Sequence, residues 1–174
     1  MAFALAGGAL AATGGAVYVT AASRHAPDPV GHELLTVVVC LSYVAAGLVA
    51  LRRPPYVRFG LLLAAVGFSS LLGALHDANW AVPYTVGVLT SNLVFAVLVH
   101  TLLAFPGGRL RSRTDRLLVV FAYIDVLALQ ALAIVFDPLT RWHSDHPPNR
   151  ALIASLASLA TGLEELEAGI AIAI

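Results

Sequence analysis

The chain has 174 residues, 59% of them hydrophobic and 11% charged, with a mean hydropathy of +0.86, values outside the range of ordinary soluble domains. Ten basic and ten acidic residues cancel, and without a basic excess the composition argues against a nucleic-acid or acidic-substrate partner. The single cysteine, Cys40, lies in an apolar block and cannot build a disulfide or thiolate–metal framework within this chain.

The apolar residues come in blocks of 17 to 23, the length that crosses about 30 Å of hydrocarbon at about 1.5 Å per helical residue. The predicted fold is therefore all-α, a polytopic transmembrane bundle of five complete spans plus the start of a sixth, in one domain covering 1–174. The first span runs from about Ala2 to Ala22 and is rich in Gly and Ala, residues that allow close helix packing in lipid. A cleaved signal peptide is the rival reading, but the stretch has no basic n-region. The second span covers Leu34 to Leu51, the third Phe59 to Leu75, the fourth Pro83 to Phe105 and the fifth Leu117 to Phe136. Each is expected to be helical because lipid offers backbone groups no other partner.

Between the second and third spans sits LRRPPYVR, with Arg52, Arg53 and Arg58. Between the fourth and fifth, FPGGRLRSRTDR carries Arg109, Arg111, Arg113 and Arg116. Two intervening spans return the chain to the same side, so all seven arginines share one face. The positive-inside rule makes that face cytoplasmic, which puts the N-terminus inside; the expected location is the cell (plasma) membrane. Pro106-Gly107-Gly108 is expected to end the fourth helix, and the arginines to anchor the hairpin at the headgroups. A nucleic-acid or heparin patch at RLRSR is the minor alternative.

On the other side, Trp80, Tyr84 and Trp142 suit an aromatic belt, near His76, Asp77 and Asn79. His25, His32, His76, His143 and His146 all fall there with several carboxylates. His143, Asp145 and His146 are therefore candidate zinc ligands or pH-titrating groups; a merely polar loop is the simpler reading. After this loop, Leu152, Leu156, Leu159, Leu163 and Leu166 recur at helical steps, predicting an amphipathic or partial sixth helix over 151–174.

Within the membrane, Asp125 is the one acid, about 13 Å deep, between His100 at roughly 8 Å and Asn92 at roughly 20 Å. A charge at the bilayer centre costs about 2.5 to 3.5 kcal/mol on insertion scales. If the fourth and fifth spans pack as an antiparallel hairpin, Asp125 is placed to hydrogen-bond His100 or Asn92. The three form a candidate polar layer, either fixing helix rotation or binding a proton or ligand.

HTLLAFPGGRLRSRTDRLLVVFAYIDVLALQ, together with YVAAGLVALRRPPYVRFGLLLAAVGF upstream, resembles the membrane-embedded N-terminal region of actinobacterial sensor histidine kinases. The resemblance is carried by Leu102, Leu103, Ala104, Phe105, Pro106, Gly108, Arg109, Leu110, Ser112, Arg113 and Arg116. It implies a signal-input module working as a homodimer in the lipid bilayer. A cytoplasmic kinase part, not contained in this sequence, would use ATP and Mg and hand phosphate to a response regulator. No cofactor or catalytic residue is expected in this chain itself. Where that family carries Cys-x-x-Cys-Pro after the fifth span, this sequence has WHSDHPPN, with histidines at both cysteine positions. A small transporter, channel or accessory membrane subunit is the alternative, and a membrane enzyme or haem protein a more distant one: His76 and His100 lie near opposite faces.

Overall fold

The computed structural model describes residues 2–23, 29–136, 165–166 and 169–170. These are helical with connecting turns, and among them there is no strand. Helix α1 spans Ala2–Ala21, α2 Pro29–Leu51, α3 Val57–Gly73, α4 Ala81–Thr90, α5 Leu93–Leu103, α6 Arg113–Ile124 and α7 Gln130–Phe136. A 3-10 turn, Ala74–Asp77, follows α3, and a π-helical segment, Asp125–Leu129, joins α6 to α7.

Three segments are long and apolar enough to cross a membrane: Leu34–Leu51, Pro54–Asp77 and Ala81–Leu103. They correspond to the second, third and fourth spans read from the sequence. The first and fifth also form helices, α1 and the α6–π–α7 run. Most of 151–174, where a sixth helix is predicted, lies outside the described residues, as do Trp142, His143, Asp145 and His146.

The packing is that of a lipid-embedded protein. Large apolar side chains point outward, among them Leu10, Leu35, Val49, Phe95, Leu102 and Phe121, while the interior is built mainly from Ala, Val, Cys and Gly. In hydrocarbon no hydrophobic force draws helices together, so small residues that let backbones touch take its place. Between α2 and α3 this contact is extreme. A Cβ on Gly47 would lie 2.7 Å from the Gly60 carbonyl oxygen, one on Gly60 2.7 Å from that of Gly47, and one on Gly67 2.8 Å from that of Cys40.

Helix α3 is central, packing against α1, α2, α4 and α5. Ala9 and Ala16 of α1 join Cys40, Val44, Leu71 and Ala74 in one core cluster; Ala96 of α5 joins Ala122 and Val126 in a second.

At one end of the bundle, the loop after α5 folds back onto the start of α3. Gly108 has φ 68°, a left-handed conformation that favours glycine. Its N–H donates to the Ala104 carbonyl at 2.8 Å, and a Cβ there would meet Arg58 and the Phe59 nitrogen at 2.5 Å. Phe105 stacks edge-to-face on Phe59, ring centroids 5.4 Å apart. Both arginine loops therefore occupy one end, as the span count requires.

The opposite end departs from the sequence reading. Asp77, assigned to a polar loop, is 3% exposed and accepts a hydrogen bond from the Thr20 hydroxyl at 3.2 Å. Asn79 donates to the Ala22 carbonyl, so two side chains of the α3–α4 turn tie down the C-terminal end of α1. Tyr84, expected in an interfacial belt, is buried because Gly87 brings α4 directly against the backbone of Leu75 and His76. Trp80 is exposed, as an interfacial anchor would be.

Candidate functional site

The fourth span is interrupted at its midpoint. Ser91 and Asn92 interrupt the helix, and two hydroxyls there turn back onto the chain: Thr90 donates to the Val86 carbonyl and Ser91 to that of Val88, at 2.8 and 2.9 Å. Such local bonds compete with the helical ladder and often bend it. Asn92 is the central residue of the apolar segment Ala81–Leu103, so in a bilayer the break falls near the midplane.

Gln130, the first residue of α7, bridges this break. Its Oε1 accepts from the Asn92 amide at 2.9 Å, and its Nε2 donates to the Val88 carbonyl at 3.1 Å. One side chain thus serves both sides of the interruption. The Val88 carbonyl already accepts from the Ser91 N–H and hydroxyl, so Gln130 adds a link across the hairpin to a carbonyl that has local partners.

Nearer the arginine end, His100 of α5 meets Tyr123 of α6 edge-to-face, with ring centroids 6.1 Å apart. The pairs Asn92–Gln130 and His100–Tyr123 set the antiparallel register of the hairpin. In it Asp125 stands near the level of Val97, between His100 and Asn92 in depth.

Asp125 opens the π segment and is 4% exposed. Its Oδ1 is buried and has no hydrogen-bond partner among the described residues. The expected bond from Asp125 to Asn92 or His100 does not form through this atom. The amide of Asn92 is taken by Gln130, whose longer side chain reaches across the hairpin, and the ring of His100 faces Tyr123. The next residue, Val126, belongs to the apolar cluster it forms with Ala96 and Ala122, so the carboxyl stands beside an apolar part of the interior. Single-turn π segments inside α-helices are rare and frequent at functional sites.

Sequence reasoning missed Gln130. The signal was available, because it is a second polar residue in the same apolar block, five positions beyond Asp125. It left no mark of the π segment, since backbone irregularity inside a lipid-embedded helix has no compositional signature.

The seven arginines Arg52, Arg53, Arg58, Arg109, Arg111, Arg113 and Arg116 are all exposed. Among the described residues, no group of three His, Cys, Asp or Glu side chains is placed to hold a metal ion. No known protein family, curated protein or solved structure matches this chain.

Proposed function

We propose that this chain is the membrane-embedded signal-input module of a two-component sensor histidine kinase. It crosses the plasma membrane five times from a cytoplasmic N-terminus and begins a sixth crossing. The 20 residues of α1 provide about 30 Å of helix, and the α6–π–α7 run, longer still, makes the fifth crossing. Homodimerisation, transfer to a response regulator, and ATP and Mg in the cytoplasmic kinase part follow from the resemblance in the two arginine hairpins.

One observation carries the reading: a buried carboxyl oxygen without a partner, at the head of a π segment beside a broken helix. A module that converts a stimulus into helix movement needs an element with two packings close in free energy. An unsatisfied group costs about 1–3 kcal/mol, which raises the energy of this packing and brings a second within reach. A π segment shifts register by shedding one residue from its turn, which rotates the remainder of the helix.

The test is phosphoryl output in membranes from cells expressing the gene at full length, with Asp125→Asn and Asp125→Leu. Both variants should alter the steady output while inserting normally; unchanged output in both removes Asp125 from signalling. The interrupted fourth helix favours one other reading, a small transporter, because discontinuous helices at the midplane form substrate sites there. Solute or ion flux into vesicles reconstituted with the protein, absent from empty vesicles, would select it.

A further inference from the structure

We propose that the arginine end of the bundle is a binding site for the phosphate of anionic phospholipids, more than a set of orientation signals. The proposal rests on the membrane reading and on no part of the kinase assignment.

Two loops far apart in sequence form one surface there. The backbone at Gly108 rests on Arg58 and Phe59 so closely that no side chain fits between them. Phe105 closes on Phe59 from the same turn. Arg109, the next residue after Gly108, is thereby held beside the first turn of α3, where Arg58 stands. On the far side of the loop, a capping box fixes the start of α6: Ser112 N–H donates to Asp115 Oδ2 and Asp115 N–H to Ser112 Oγ, each at 2.9 Å.

Charge at this end is one-sided. Seven arginines face a single acid, Asp115, and that acid is occupied by Ser112. The ion pair between described residues, His76 with Asp77, lies at the opposite end. The seven arginines are exposed, and among the described residues none of them is ion-paired to a carboxylate. Orienting a membrane protein needs positive charge in short loops; it does not need the two loops to be packed into one rigid surface. Guanidinium forks match phosphate oxygens bidentately.

The occupant is a lipid and not a free anion because the same surface is amphiphilic. Leu102 and Phe105, 67% and 64% exposed, precede Arg109 at the end of the apolar fourth segment. A phospholipid offers phosphate to the arginines and hydrocarbon to the apolar pair.

The experiment uses the full chain purified in zwitterionic detergent. Its thermal unfolding is followed while phosphatidylglycerol, phosphatidylcholine or inorganic phosphate is titrated in. Phosphatidylglycerol should stabilise at concentrations where the other two do not, and the effect should weaken with added salt. Arg58→Gln with Arg109→Gln should raise the half-effective concentration at least fivefold, since each basic residue near an anionic surface contributes about a fivefold factor. The charge-matched control Arg141→Gln with Arg150→Gln, in the loop that the span count puts on the opposite side of the membrane, should leave it unchanged. Equal responses to the two lipids, equal losses in both double variants, or a response to inorganic phosphate as strong as to the lipid would each overturn the proposal. So would wild-type binding by the Arg58/Arg109 variant. If that variant fails to fold, the wild-type lipid comparison still decides. Flotation of the wild-type chain with lipid vesicles separates the two levels: a chain that does not float refutes the membrane reading itself, whereas one that floats without lipid preference refutes only this site.

Discussion

Replacing Asp125 by leucine should make the protein more stable. Leucine has the same branching as aspartate, with two methyl groups where the carboxyl has two oxygens, so it keeps the shape at a larger volume. The structure leaves Oδ1 buried without a hydrogen bond, a state that costs about 1–3 kcal/mol relative to a satisfied or apolar group. The slightly larger side chain, set against the small residues Ala96 and Ala122, gives back part of this through overpacking, which runs to about 1 kcal/mol at the mild end. The expected net gain is roughly 1 kcal/mol. Asp125→Asn keeps two polar atoms in the same place and should stay within about 0.5 kcal/mol of the parent. Reversible unfolding in mixed micelles, with denaturing detergent as the variable, measures both. A leucine variant destabilised by about 1 kcal/mol or more would refute the reasoning, because that is the signature of a carboxyl making a structural hydrogen bond.

Other consequences concern the residues that position this site. Gln130→Leu removes both side-chain bonds across the break in the fourth helix and should cost about 1–2 kcal/mol in the same assay, toward the upper range for polar contacts in membranes. Gly108→Ala should cost about 1–3 kcal/mol through its left-handed φ and lack of room, whereas Gly107→Ala, with nothing within 4 Å, should change little; equal effects would mean that the loop does not dock on α3. Hydrogen bonding to Ser112, to its hydroxyl first and its N–H second, holds the Asp115 carboxyl below the usual carboxylate range. A carboxyl depressed on folding adds stability above its unfolded pKa and loses it as pH falls through the folded value. Protection of the Ser112 amide from hydrogen exchange, corrected for intrinsic rates, should therefore be constant near neutrality and fall in acid below the usual carboxylate range. Asp115→Asn, which keeps an oxygen acceptor but no titrating group for the Ser112 N–H, should abolish that acid dependence, and an unchanged profile would show that the box does not hold α6.

What the sequence discloses here is what depends on length and composition. Helix α2 ends at Leu51 as read, because two arginines and two prolines follow. The turn at Phe105–Gly108 and the shared end of the two arginine loops follow from proline, glycine and the span count. The interior of the bundle was less legible. Asp77 looks like a loop residue in LHDANW, and only the tertiary contact with Thr20, 57 residues away, makes it a buried junction. Tyr84 is buried for a similar reason: Gly87, with no marked role in the sequence, sets how closely α4 crosses the preceding turn. In the polar layer the depth order of His100, Asp125 and Asn92 could be read by counting residues, but the partners could not. Which amide reaches which depends on helix rotation, and a π segment changes that rotation by an amount no apolar pattern encodes.

The measurement that bears most directly on the central claim is the coding sequence downstream of Ile174. The account predicts an open frame that completes a sixth apolar helix and continues into a helical segment with a phosphoacceptor histidine and an ATP-binding domain. A stop codon directly after Ile174 would contradict the input-module reading and leave the transporter as the function to test.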